Sequence, residues 1–179
     1  MDLIKYVSDQ TLDGNSELGD WNIRQAVRAV VLDMDNRIAL MHIGKFNVYK
    51  LPGGGIDNME NIEAAFQREM LEETGCEVKK IRELGVVIEK RDEWKLVQVS
   101  YCYVAKVVKI GDLQLTTEEI AEDFSLHWVS DIGEAVKLVE SSGSKRYDDK
   151  YIKIRDSAIL QKAKNLFFKD HSNSTDGLK

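Results

Sequence analysis

A mixed sheet flanked by helices, within one α/β domain, is the fold class this chain predicts. Two observations carry it. Alternating apolar segments interleave with helical patterns, without the regular β-α-β repeat of a wholly parallel sheet. A single Pro52-Gly53-Gly54-Gly55 break, holding the chain's only proline, separates a hairpin-like pair of segments from the most helical stretch. With 179 residues, 43% of them hydrophobic, the chain can bury a core without disulfides or a structural metal.

Taken in order, residues 1–20 are a polar extension with one apolar patch that could add an edge strand. The main domain is expected over 21–168. Residues 26–33 are apolar on both alternating sets, which suits a strand covered on both faces. Asp35-Asn36 is a turn signal, and 37–42 reads as the returning strand. Residues 58–74 have no glycine or proline, and Ile62, Phe66 and Met70 recur at every fourth position, so a helix is expected there. Asn58 would be its N-cap, Glu60 would sit in its positive first turn, and Gly75 would end it. Two longer strands follow, near 81–90 and 95–107. A polar stretch from Gly111 carries Glu118, Glu119 and Glu122, and a short strand spans 125–129. Ser130 would cap a helix over 131–140. A last helix is expected over 153–168, with Ile154, Ile159, Ala163, Leu166 and Phe167 as its apolar side, and 169–179 as a disordered tail.

Composition removes several function classes. Thirty-one acids against 25 bases give a net charge of −6, which disfavours broad nucleic-acid binding. No apolar run is long enough to span a bilayer, and the first five residues do not read as a secretory signal. Cys76 and Cys102 cannot make a disulfide framework; as reduced, buried thiols they point to a cytoplasmic protein. His42, His127 and His171 are not spaced as metal ligands.

The chemistry concentrates around the expected helix. Glu69, Glu72 and Glu73 stand at i, i+3 and i+4, within one sector of its surface. Three carboxylates that close repel, and a cation among them relieves the cost of keeping them ionised. Oxygen-only donors favour Mg²⁺ or Mn²⁺, and Mg²⁺ commonly completes its shell with substrate phosphate. The same E-x-x-E-E pattern alone also fits an ordinary solvated helix face.

From Gly54 to Cys76 the chain reads G-x5-E-x7-R-E-U-x-E-E-x-G-U, with U an apolar position held by Met70 and Cys76. All seven fixed positions (Gly54, Glu60, Arg68, Glu69, Glu72, Glu73 and Gly75) are filled, which by composition has a chance of order 10⁻⁹ per start position. The segment resembles the signature box of the Nudix hydrolases. The resemblance implies an α/β/α sandwich over about residues 24–165. The reaction it implies is Mg²⁺-dependent hydrolysis (Mn²⁺ as a substitute) of the diphosphate in a nucleoside diphosphate linked to another moiety. It further implies metal ligation by Glu69, Glu72, Glu73 and a carbonyl near Gly54. Arg68 would hold a box glutamate in place, and backbone at Gly54 and Gly55 would approach substrate. A later loop acid would serve as a further ligand or general base: Glu122 first, then Glu119. Arg28 is a candidate for substrate phosphate, and Trp94, Tyr101 and Tyr103 are candidates for stacking a base. The partner implied is a small-molecule nucleotide, with a homodimer open. The markers of the ADP-ribose and dinucleoside polyphosphate subgroups are missing: no proline follows Pro52, and residues 90–95 hold no tyrosine. Two rivals use the same fold: a non-catalytic nucleotide sensor or scaffold, and a prenyl diphosphate isomerase, for which Cys102 is a poor active-site thiol.

Overall fold

The computed structural model describes residues 1–9 and 21–168. The expected tail, 169–179, and most of the N-terminal extension lie outside the described residues. Among the described residues, seven strands form one sheet: β1 (Leu3–Ser8), β2 (Asn22–Leu32), β3 (Ile38–Ile43), β4 (Val48–Lys50), β5 (Cys76–Arg91), β6 (Leu96–Ile110) and β7 (Phe124–Val129). Their order is β1-β5-β6-β2-β3-β4, with β7 also paired to β3. β1 lies parallel to β5 at one edge. β2 runs parallel to β6 in unbroken register from Asn22↔Leu96 to Leu32↔Lys106, whereas β5 and β6 form a long antiparallel hairpin. β3 meets β2 only at Leu32↔Ile38 and then diverges, so the middle of β2 has a free edge on that side.

Among the described residues there are four α-helices, α1 (Ile62–Thr74), α2 (Thr117–Ala121), α3 (Ile132–Ser141) and α4 (Tyr147–Ala163), of which α1, α3 and α4 cover the sheet. The two-faced apolar pattern of β2 is used fully. Val27, Ala29 and Val31 pack with Phe66 and Met70 of α1. Val30 and Leu32 pack with Tyr151, Ile159 and Leu160 of α4 and with Val136 of α3. The result is a sandwich of helix, sheet and helix. No helix among the described residues is long and apolar enough to cross a membrane.

Several boundaries differ from expectation for local reasons. α1 starts four residues later than 58, capped by Asn61, whose Oδ1 accepts from Ala64 N–H at 2.8 Å. Residues 57–60 instead make a turn closed by Glu60 N–H to Asp57 O at 3.0 Å, with Met59 in left-handed backbone. β5 starts at Cys76 and not near 81, because register shifts within it break the period-two pattern. The N-cap of α3 is Asp131, which accepts from Gly133 and Glu134 N–H at 2.7 and 2.9 Å, while Ser130 bonds the Glu134 carboxylate. The polar stretch after Gly111 contains the short helix α2, closed by a capping box between Thr116 and Glu119. α4 starts at Tyr147 and not 153; Ile154 and Leu166 face solvent, and the buried face carries Arg155 and Asp156 beside Ile159, Leu160 and Ala163. Ion pairs, invisible to apolar periodicity, replace apolar side chains there.

Candidate active site

The free edge of β2 is taken by the glycine loop. Ala29 N–H donates to Pro52 O at 3.1 Å, Val27 N–H to Gly54 O at 2.9 Å, and Ile56 N–H to Gln25 O at 2.9 Å. Glycines are required by this seating. Gly53 has φ +130°, and a Cβ there would stand 2.2 Å from Val27 O. A Cβ on Gly54 would stand 2.4 Å from both carboxylate oxygens of Glu69. The loop therefore lies directly against α1, as backbone that leaves no room for a side chain.

Glu69, Glu72 and Glu73 come together beneath it, and each is held by a cation or an N–H. Glu73 is buried; its Oε1 accepts from Lys50 Nζ and its Oε2 from Gly53 N–H, both at 2.6 Å. Arg68 binds Glu60 through two bonds of 2.9 and 3.0 Å, Glu69 at 2.8 Å, Glu72 at 3.0 Å and Gly55 O at 2.9 Å. Its fork thereby ties the loop to the helix. Glu60 thus serves Arg68, not the helix start, and its bonds to Arg68 hold its carboxyl below the usual range. Burial, and then the charge of Glu73, push the Glu69 carboxyl up against the pull of Arg68.

These residues open on a cleft of about 400 Å³. Gly53, Gly54, Gly55, Arg24, Lys50, Phe124 and Glu119 line it. So do Arg91, Trp94, Gln98 and, from α4, Ile152 and Arg155. Arg28 lines it as well. Arg28 is 6% exposed, its Nη1 donates to its neighbour's carbonyl, Val27 O, at 2.8 Å, and its Nε has no partner. Burial and then the nearby Arg155 charge lower its pKa to about 10. Arg155, by contrast, is bonded to Asp156 at 2.6 Å, and Arg91 to Glu89 and Asp148, each at 2.7 Å. Among the described residues, Arg28 is the cleft-lining buried guanidinium left without a carboxylate bond.

The sequence-based candidates separate accordingly. Gly54, Gly55, Arg28, Arg68, Glu69, Glu72, Glu73 and Glu119 line the cleft together. Glu122, the favoured loop acid, does not; it is the C-cap of α2 and borders an adjoining depression that shares Thr116, Glu119 and Phe124 with the cleft. One helical turn separates it from Glu119, and only the earlier residue faces the cleft. Glu119 Oε2 accepts from Thr116 N–H and Oγ1 at 2.8 and 2.9 Å. Tyr103 is core, edge-on to Phe66; Tyr101 bonds Gln25; Trp94 is 44% exposed at the cleft rim. Lys50, Arg24, Arg91 and Arg155 were not singled out by sequence, since isolated basic residues on strands and helices carry no pattern. His42 stacks on Tyr49, with His127 edge-on, as surface strand residues.

Among the described residues, no three Asp, Glu, His or Cys side chains converge as a ready metal cage. Arg68 and Lys50 take up the carboxylates instead. The donor set still fits a hard divalent ion. It is wholly oxygen: three carboxylates and Gly54 O, which keeps one lone pair beyond its bond to Val27.

The NUDIX domain family model matches residues 22–143. The structure of a MutT protein from Methanosarcina mazei Go1 is similar, with 21% identity over 76% of this chain and 96% of that one, at a TM-score of 0.50. A MutT NUDIX hydrolase from Burkholderia pseudomallei is similar at 19% identity, covering 79% of this chain and 98% of that one, at a TM-score of 0.53. At these identities the likeness concerns the fold. No curated protein matches the chain. The family match covers more than half of the sequence and includes the whole glycine loop and α1, so the chain belongs to the NUDIX domain family.

Proposed function

We propose that the chain hydrolyses the diphosphate linkage of a nucleoside diphosphate joined to another moiety, using Mg²⁺, with Mn²⁺ as a substitute. Pyrophosphohydrolysis as a class comes with the family; the ion and the substrate class are the proposal. The observation that carries it is the meeting of Glu69, Glu72 and Glu73 under a glycine loop, on a cleft that also holds the half-satisfied Arg28.

Glu69, Glu72, Glu73 and Gly54 O would hold the ion. The chemistry a divalent ion supplies there is neutralisation of the diphosphate and polarisation of its phosphorus. Arg68 aims Glu69 and Glu72 and fixes the loop, so its role is positioning. Arg28 offers its unpartnered guanidinium edge to a phosphate oxygen, where its fork suits an oxyanion. Glu119, at the cleft, is better placed than Glu122 to accept the proton of the attacking water. The side-chain-free loop lets a phosphate lie against the main chain.

The test is a phosphate-release screen in Mg²⁺ over nucleoside triphosphates, oxidised triphosphates, nucleotide sugars, ADP-ribose, NADH and diadenosine polyphosphates. A preferred substrate whose turnover falls at least about a hundredfold in Glu72→Gln is expected. Equal turnover in the variant, or undiminished turnover in chelator, would refute the metal assignment.

A further inference from the structure

Lys50 closes β4, and its ammonium lies 2.6 Å from Glu73 Oε1, with the two side chains only 12% and 2% exposed. The other oxygen of Glu73 is already bonded to Gly53 N–H. Both oxygens are thus taken before any ion arrives. The positions of the two neighbouring cations differ. Arg68 is anchored by Glu60 and Gly55 O in addition to Glu69 and Glu72. Among the described residues, Glu73 is the one carboxylate that Lys50 pairs with. Lys50 also sits over the Phe124 ring at 5.1 Å, and both residues line the cleft.

A carboxylate this buried stays ionised at low cost only with a cation or hydrogen-bond donors beside it. An ammonium and a divalent ion placed on the same oxygen repel across a few ångströms, so each weakens the binding of the other. We infer that Lys50 is an exchangeable counter-cation. It neutralises Glu73 in the metal-free protein and yields Oε1 when a divalent ion binds. Its freed ammonium then turns, within the same cleft, to a phosphate oxygen of the substrate. This rests on Glu73 as a metal ligand and adds a consequence: Lys50 weakens ion binding to the empty protein and strengthens phosphate binding to the loaded one. Ion and phosphate then bind with positive coupling, which must be reciprocal.

The experiment measures Mn²⁺ binding by the electron paramagnetic resonance signal of the free ion, without turnover, for wild type, Lys50→Met, Lys50→Arg and Glu73→Gln. Far-UV circular dichroism and melting curves establish that each is folded. Should Lys50→Met be unfolded without ion, Lys50→Gln replaces it with the same expectation. Lys50→Met is expected to bind Mn²⁺ about tenfold tighter or more, because the competing cation is gone. Lys50→Arg, which keeps the charge, is expected to bind no tighter than wild type. Calorimetry with methylenediphosphonate, at Mn²⁺ saturating each protein, is expected to give about fivefold weaker binding or less affinity still in Lys50→Met. Unchanged Mn²⁺ affinity in Lys50→Met, while Glu73→Gln is weakened, overturns the exchange role alone. Tightening in Lys50→Arg as well would trace the effect to side-chain shape and overturn it too. Unchanged methylenediphosphonate affinity overturns the phosphate half. Unchanged Mn²⁺ affinity in Glu73→Gln removes Glu73 as a ligand and the inference with it.

Discussion

Replacing Arg68 by lysine separates charge from geometry at the site. The guanidinium makes five bonds of 2.8–3.0 Å to four partners, Glu60, Glu69, Glu72 and Gly55 O, which stand on the turn before α1, on α1 and on the loop. An ammonium keeps the positive charge but has one point of attachment and three donors, so at most three of the five bonds can be kept. Charge-assisted bonds each contribute about 1.5–3 kcal/mol when sheltered. Arg68 is 30% exposed and Glu72 31%, so solvent screening reduces this, and a net loss of about 1–2 kcal/mol is expected for Arg68→Lys. In a chain of this size that lowers the melting temperature by about 2–8 °C. Turnover should suffer more than stability. Glu69 and Glu72 lose their aim while keeping their charge environment, and loss of a comparable supporting partner costs about 10–100-fold. The assay pairs thermal melting with Mg²⁺-dependent phosphate release and Mn²⁺ binding. If Arg68→Lys melts as expected but retains more than half of wild-type turnover, charge alone suffices and the positioning argument is wrong.

Gly54→Ala should leave far-UV circular dichroism unchanged yet reduce Mg²⁺-dependent turnover by about a hundredfold, since its Cβ would lie 2.4 Å from both Glu69 oxygens; full activity would show that the loop shifts freely. Cys102 is fully buried, its thiol pushed up to about 12 by desolvation, and Cys76 is buried and pushed up by the same cause. Neither should react with Ellman's reagent at pH 8 until denaturant is added, and rapid native labelling would contradict that packing. Asp131→Ala should cost about 1 kcal/mol, read as a melting shift, by removing the α3 cap. Bonds from Glu134 N–H first and then Gly133 N–H hold the Asp131 carboxyl below its usual range. A depressed folded value means that its contribution is present above the unfolded value of about 3.9 and fades as pH falls. The gap between wild type and Asp131→Ala should therefore narrow in acid, and a gap that widens there would reverse the sign of the argument.

The part of the fold most legible in the sequence was the part governed by spacing. Ile62, Phe66 and Met70 announce α1, and the two apolar sets of β2 announce a strand covered on both sides. The glutamates and Arg68 follow from their fixed places in the box. What escaped was governed by partners distant in sequence. The lysine of the Lys50–Glu73 pair comes from a three-residue strand and resembles any other. The start of α1 was misplaced because Asn58 and Asn61 are equally good caps by type, and the turn closed by Glu60 selects the second. The buried face of α4 was misread because Arg155 and Asp156 neutralise each other inside. Glu119 and Glu122 differ only in the side of a one-turn helix on which they fall, which depends on the cap at Thr116.

The joint between α4 and the sheet has a mechanical consequence. Apolar helix faces can slide along a sheet at small cost, because one methyl contact replaces another. α4 is indexed instead. Asp156 receives Leu51 N–H at 2.8 Å, Arg155 Nη1 lies 3.7 Å from Glu89 Oε2 on β5, and Tyr151 Oη donates to Lys90 O at 2.8 Å. A shift of one turn, about 5.4 Å, would strand every one of these groups without a mate. The helix behaves as a key cut for one lock position, and the cleft wall carrying Ile152 and Arg155 inherits that fixed setting. Since α4 lies beyond residues 22–143, the tolerance of this wall is machined by a part of the chain that the family pattern leaves unspecified.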